Sequence, residues 1–150
     1  MLTLHIDGAE VPLLLTSTVK GESCVRVCAA QNSARVMRAL ITCNFQSNDD
    51  LIDLILVTDA VRRRYTVDGR QPTVALSLPR VPYGGRDRIS MEGEPLSLKI
   101  IANLINAQRY QAVFCAEDES PTALALLNNV AHVGADSYIA KPRSNQVAQA

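Results

Sequence analysis

The chain has 150 residues, 47% of them hydrophobic and 20% charged, with a formal net charge of 0. That is the make-up of one ordinary domain with a buriable core, and the balanced charge excludes a broad electrostatic draw to nucleic acid or to a membrane surface. The opening MLTLHIDGAE has no basic segment leading into a long apolar run, and no window reaches the about eighteen unbroken apolar residues of a membrane span, so a soluble cytoplasmic protein is expected.

The first predicted element is a hairpin, Leu2 to Ile6 and Val11 to Leu15, around Asp7-Gly8, a dipeptide that readily takes the positive φ values of a tight primed turn. Val25 to Ala29 and Ala39 to Asn44 are further short β-rich runs. Ser47 with Asp50 three residues on has the form of a capping box, and Leu51, Ile52, Ile55 and Leu56 continue at helical spacing to the basic end Arg62-Arg63-Arg64. Thr73 to Leu78 reads as a buried strand, and Leu96, Ile100, Ile101, Leu104 and Ile105 form a second helical stripe. Ala112 to Cys115 reads as the next strand, Ser120-Pro121-Thr122 as a helix start, and Ala131 to Ile139 as one more strand before a polar tail. Alternating strands and helices argue for a mostly parallel sheet with helices on both faces, in an α/β fold of three layers with an amino-terminal hairpin.

In such a sheet, ligands bind outside the carboxyl ends of the strands, which selects two loops. The loop from Pro79 to Gly93 offers Arg86 and Arg88, two guanidinium forks for phosphate oxygens, with glycines that let backbone amides approach a ligand closely. The alternative for these arginines is solvation or pairing with Asp87. The loop from Ala116 to Thr122 offers Glu117, Asp118 and Glu119, hard oxygen donors suited to magnesium, or simply charges that complement the following helix dipole. Cys24, Cys28, Cys43 and Cys115 lie in apolar, strand-like runs without paired short spacings, so buried reduced thiols are expected rather than zinc ligands or disulfides. His5 and His132 fall outside both loops, and a core or surface role is expected of each.

Four segments, in order, carry a family resemblance. Pro82-Tyr83-Gly84-Gly85-Arg86-Asp87-Arg88 resembles the Pro-Tyr-Ala-Arg-Gln-Asp-Arg segment of ribose-phosphate pyrophosphokinases (phosphoribosyl pyrophosphate, or PRPP, synthetases), and Gly93 to Lys99 resembles the helix that follows it. Gly21-Glu22-Ser23-Cys24-Val25-Arg26-Val27 falls where the family has its Asp-Gly-Glu segment and next strand. Asn48 to Arg63 is similar to the family's first long helix, and Glu117-Asp118-Glu119-Ser120 with Ala125 to Asn129 is similar to the Asp-x-His-Ser segment and helix of phage-type members. The resemblance implies the family's amino-terminal domain over residues 1–140, followed by a polar tail at 141–150. It implies ATP with magnesium as ligand, Glu22, Arg86, Asp87 and Arg88 as nucleotide- or phosphate-binding residues, and Glu117 and Glu119 as metal ligands.

The same register shows three departures. The stacking phenylalanine before Asp-Gly-Glu is replaced within Thr18, Val19 and Lys20. Gly85 stands at the ATP-contacting arginine with Arg86 at the glutamine, and Glu119 stands at the magnesium-binding histidine. The family's second half, which holds ribose 5-phosphate, has no counterpart segment in these residues. The expectation is therefore a single-domain homologue with no assigned catalytic residue, acting as an assembly or regulatory protein. It would self-associate as a homo-oligomer or bind a full-length PRPP synthetase. The alternatives are a nucleotide- or phosphate-binding module, or half of a ribose-phosphate pyrophosphokinase completed by another chain.

Overall fold

The computed structural model describes residues 1–28 and 38–131. His132, most of the strand expected to reach Ile139, and the expected boundary at 140 lie outside the described residues. Strands β1 (Leu2–Ile6) and β2 (Ala9–Val11) form the opening hairpin, and Asp7 and Gly8 have φ of 46° and 85°, the two positive values a type I′ turn needs. The expected second strand from Val11 to Leu15 is broken. Pro12 has no N–H to give a ladder, and after it β3 (Leu13–Ser17) leaves to pair with β4 (Ser23–Val27) in a separate two-stranded sheet.

The main sheet continues through β5 (Arg38–Cys43), β6 (Thr73–Leu78), β7 (Val113–Cys115) and β8 (Val130–Ala131), in the order β2-β1-β5-β6-β7-β8. Strands β5 to β8 are parallel, and β1 runs antiparallel to β5. Helices α1 (Asn48–Tyr65), α2 (Ser97–Asn106) and α3 (Pro121–Leu126) make the three crossovers. After β5 the strand order steps in one direction only, so crossovers of one hand deliver their helices to one face. The packing agrees: Ala39, Ile41 and Cys43 of β5 and Val74, Leu76 and Leu78 of β6 share a core with Leu54, Val57 and Val61 of α1, Leu98 and Ala102 of α2, and Ala123 of α3. The alternate residues Leu40, Ala75 and Phe114 form a second, smaller buried cluster, so the sheet is buried on both faces while the described helices occupy one.

Helix α1 starts where its charges dictate. Asp50 Oδ2 accepts the N–H groups of Gln46 and Ser47, and Oδ1 takes the Met1 ammonium at 2.9 Å. Partial burial works against the Asp50 charge, yet these bonds hold its carboxyl below the usual carboxylate range. The helix ends on Arg62, Arg63 and Arg64, cations at the negative end of its dipole. The small β3–β4 sheet packs against α1 and turns Leu13, Leu15, Val25 and Val27 toward the core, which accounts for the helix's broad apolar width.

Two expectations are corrected here. On α2 the buried face is Leu98, Ala102 and Ile105, whereas Ile100 and Leu104 are 53% and 42% exposed. Small Ala102 lets the helix approach the sheet, and the larger side chains one position round are left outside. Of the four free cysteines, Cys43 is buried and Cys115 half-buried, but Cys24 and Cys28 are exposed, because Cys24 is on the solvent-facing alternation of β4 in a two-stranded sheet covered on one side and Cys28 lies just past the strand's end. Burial is the main cause that pushes the thiols of Cys43 and Cys115 up to about 11. Among the described residues, no helix is long and apolar enough to cross a membrane.

Candidate functional site

The loops after β5, β6 and β7 all leave the carboxyl edge of the parallel strands, where α1, α2 and α3 begin. Their junction is held by three contacts. Tyr83 Oη donates to Asn48 Oδ1 at 2.6 Å, which fastens the β6–α2 loop to the first turn of α1. The Tyr83 ring packs against Phe45 with centroids 6.2 Å apart and planes tilted by 48°. Glu119 Oε1, from the β7–α3 loop, accepts the backbone N–H of Val81 at 3.0 Å. Tyr83 itself has φ of 60°, a left-handed conformation that costs a non-glycine residue about 1 kcal/mol or more and is retained here by these contacts.

Arg86 is fixed through its backbone and free at its tip. Its N–H donates to Tyr83 O at 2.9 Å, and its carbonyl accepts from Leu98 N at 3.2 Å, so it also satisfies an otherwise open amide of the first turn of α2. Among the described residues, neither Arg86 nor Arg88 makes an ion pair, with Asp87 or any other carboxylate. Both side chains are exposed. Glu94, which lines the same cleft as Arg86 and Arg88, is occupied in folding the loop: its Oε2 accepts the amides of Ser90 at 3.0 Å and Met91 at 3.2 Å.

Two clefts meet at Gly85 and Arg86. An open one of about 610 Å³ is lined by Phe45, Gln46, Ser47, Asn48, Tyr83, Gly84, Gly85 and Arg86. A second of about 390 Å³ is lined by Gly85, Arg86, Arg88, Ser90, Glu94, Pro95 and Ser97. The structure thus brings Arg86 and Arg88 together at one cleft, as their sequence spacing predicts. Asp87 is half-buried and lines neither cleft, and Glu22 lies at the exposed turn of the β3–β4 hairpin, where its N–H donates to Thr18 Oγ1 at 3.1 Å. Val19, in the Thr18-Val19-Lys20 stretch that replaces the stacking phenylalanine, is fully exposed at that turn.

Glu117 is exposed and Glu119 half-buried on the β7–α3 loop. The helix start is confirmed: Ser120 Oγ accepts the N–H of Ala123 at 3.0 Å, with Pro121 at the first helical position. As a magnesium site the donor set is thin, since one Glu119 oxygen is committed to Val81 and no three carboxylate, imidazole or thiol groups converge among the described residues. Close packing explains the glycine before the arginine loop: a Cβ on Gly84 would stand 3.1 Å from Val81 O and 3.5 Å from Glu119 Oε2.

Tyr83 lies in the loop that the sequence already selects, whereas Phe45, Gln46 and Asn48 are cleft residues that the sequence analysis assigns to no site. The signal available was positional, because the β5–α1 loop also leaves the carboxyl edge of a parallel strand.

With this geometry in hand, the relatives can be placed. A ribose-phosphate pyrophosphokinase C of Dictyostelium discoideum is 27% identical over 124 residues, 83% of this chain and 36% of the relative. A ribose-phosphate pyrophosphokinase of Gloeobacter violaceus is 33% identical over 107 residues, 71% of this chain and 30% of the relative. The chain is a ribose-phosphate pyrophosphokinase-like amino-terminal domain of partial length. It spans about a third of the length of these curated relatives. The phosphoribosylpyrophosphate synthetase of Mycobacterium smegmatis shares the fold, with a TM-score of 0.61 at 18% identity over 81% of this chain and 39% of that one. No family model matches the chain.

Proposed function

We propose that this domain binds a phosphate-bearing ligand at the Arg86 cleft without turning it over, and works as a regulatory or assembly homologue of the pyrophosphokinases it resembles. The observation that carries the reading is the state of the two arginines: Arg86 is held at its backbone by Tyr83 and Leu98, shares a cleft with Arg88, and among the described residues has no carboxylate paired to its guanidinium. Unpaired guanidinium groups beside glycine amides and the start of α2 favour an anion. Chemistry is disfavoured by the residues beside them. Gly85 brings no side chain where the family has an arginine, and Glu119 spends an oxygen on Val81. Phosphoryl transfer rests on positioning and on charge stabilisation, and both are reduced here.

The test has two arms. Phosphate or ATP titrated into the protein is expected to shift amide resonances of residues 84–88, with the shifts lost in Arg86→Ala. A coupled assay with magnesium-ATP and ribose 5-phosphate is expected to give no turnover above a denatured control. Turnover proportional to protein concentration would overturn the non-catalytic reading. Turnover only when a second protein is added would instead favour half of an enzyme completed by another chain.

Assembly is the second part of the proposal. It is supported by Ile100 and Leu104, exposed one turn apart on α2, a pair of large apolar side chains that water covers poorly. A second copy of this domain, or a full-length pyrophosphokinase with the same fold, is the proposed partner.

A further inference from the structure

The edge of the sheet opposite the Arg86 cleft carries a cavity of its own. Helix α2 ends at Asn106 and β7 starts at Val113, while α3 ends at Leu126 and β8 starts at Val130, so the two turns lie side by side at the amino ends of β7 and β8. The polar residues lining a cavity of about 220 Å³ there are Asn106, Arg109, Tyr110, Gln111, Asn128 and Asn129, and no acidic side chain lines it. Its frame is braced. Asn106 Nδ2 donates to Leu126 O at 2.9 Å, Asn106 Oδ1 accepts the Asn128 N–H at 2.8 Å, and Asn129 Nδ2 donates to Tyr110 O at 3.0 Å. These bonds use up Asn106 and the Asn129 nitrogen. Among the described residues, the Gln111 and Asn128 side-chain amides and the Arg109 guanidinium have no hydrogen-bond or ion-pair partner.

Arg109 is a costly choice for its turn. Its φ of 55° is left-handed, where glycine fits without strain, and it is the Arg109 carbonyl that makes the local bond, accepting from Arg62 Nη2 at 3.3 Å. The turn thus needs nothing from the guanidinium, and a strained residue with an unspent side chain at a cavity points to a ligand. A guanidinium fork matches the two oxygens of a planar carboxylate, and the two unspent amides offer further donors and acceptors. Charge favours a carboxylate over a phosphate. Helices α1 and α2 end at this edge, and the negative ends of their dipoles oppose a doubly charged anion more than a singly charged one. The cavity is also smaller than the about 300–1,000 Å³ of pockets for drug-sized molecules, which selects a short ligand. We infer that Arg109, Gln111 and Asn128 form a binding site for a short carboxylic acid with a second polar group, independent of the phosphate-binding reading of the Arg86 cleft.

The experiment titrates the full chain with succinate, glutamate, succinamide and inorganic phosphate, and follows its amide resonances. Succinate or glutamate is expected to shift residues 109–111 and 128–129 to saturation, whereas succinamide, which has the same shape without the charge, is expected to leave them in place. This comparison uses the unaltered protein, so it stands whatever a substitution does to folding. Arg109→Gly keeps the Arg62 contact, which uses only the backbone, and is expected to weaken the acid by about tenfold or more, while Arg86→Ala leaves its affinity unchanged. Succinamide or phosphate binding as tightly as the acids overturns carboxylate recognition. The absence of saturable shifts with both acids, or an Arg109→Gly protein that binds them like the parent, overturns the site and leaves the Arg86 cleft untouched.

Discussion

The Glu119 carboxylate reaches from the loop after β7 to the N–H of Val81 in the loop after β6, at 3.0 Å. Val81 is buried, so its amide has no ready replacement from water. A residue that the family register marks for metal is thereby also a brace between two site loops. Glu119→Ala is expected to cost about 1–3 kcal/mol by leaving that amide unpaired, whereas Glu119→Gln keeps an acceptor and costs less. Urea melts compare the two, and hydrogen exchange at the Val81 amide locates the effect. Equal stability of both variants and the parent would rule out the brace.

The pair Thr58 and Tyr110 joins α1 to the segment entering β7. Thr58 Oγ1 donates its one proton to Leu54 O at 2.7 Å, so the Tyr110 hydroxyl, also at 2.7 Å, must be the donor to Thr58. Burial is the main cause that pushes the Tyr110 hydroxyl up to about 12, and Cys43 is pushed to about 11 in the same core. Both folded values are raised, so both groups favour the folded chain fully below their ordinary values of 10.0 and 9.0, and that contribution is lost as pH rises from 9 toward 12. Tyr110→Phe is expected to flatten the upper part of this alkaline loss and to cost about 1 kcal/mol at neutral pH. Thr58→Val is expected to cost more, because it strands a buried donor. Thermal melts between pH 7 and 11 check the order, which would be refuted by a Thr58→Val protein as stable as Tyr110→Phe.

Thiol chemistry gives a direct check on burial. With iodoacetamide at pH 8, Cys24 and Cys28 are expected to react first because they are exposed, and Cys43 and Cys115 to lag because they are covered and their thiolates are suppressed. The Glu119 charge is the second cause acting on Cys115, after burial. Glu119→Gln should therefore quicken Cys115 alkylation in part only, as read by peptide mass spectrometry. A Cys115 that matches Cys24 in rate would contradict the packing at the end of β7.

Local signals in the chain were legible where one residue acts on its own neighbours. Asp7-Gly8 specifies its turn by φ, Asp50 caps α1 three residues after Ser47, and Ser120-Pro121 starts α3. Pro12 was equally local, but its effect is to send β3 to a different sheet, and the apolar run from Val11 to Leu15 hides that change of partner. On α2, periodicity weighted by size picks Ile100 and Leu104, whereas the sheet is approached by the face carrying Ala102. The site divides in the same way. Arg86 and Arg88 are neighbours in sequence and in space, but Tyr83 meeting Asn48 and Glu119 meeting Val81 span 35 and 38 residues, and no local pattern encodes such pairs.

Assembly is the remaining expectation, and the fold moves its most exposed candidate surface. The apolar width of α1 is largely used within the chain, by the main sheet on one side and the β3–β4 sheet on the other, with Ile52 left half-exposed. On α2, Ile100 and Leu104 stand outward together. An isologous contact is the commonest way for such a face to be covered by a second copy. If it is, Leu104→Asp places a charge in a dry contact and should shift the sedimentation profile toward the 16.3 kDa monomer, while the thermal melt at low concentration stays near that of the parent. Leu14→Asp, on the exposed side of the β3–β4 hairpin, serves as the comparison and should leave the profile unchanged. A parent protein that sediments as a monomer at high concentration would refute self-association. A dimer dispersed by Leu14→Asp and not by Leu104→Asp would place the contact on the hairpin instead of α2.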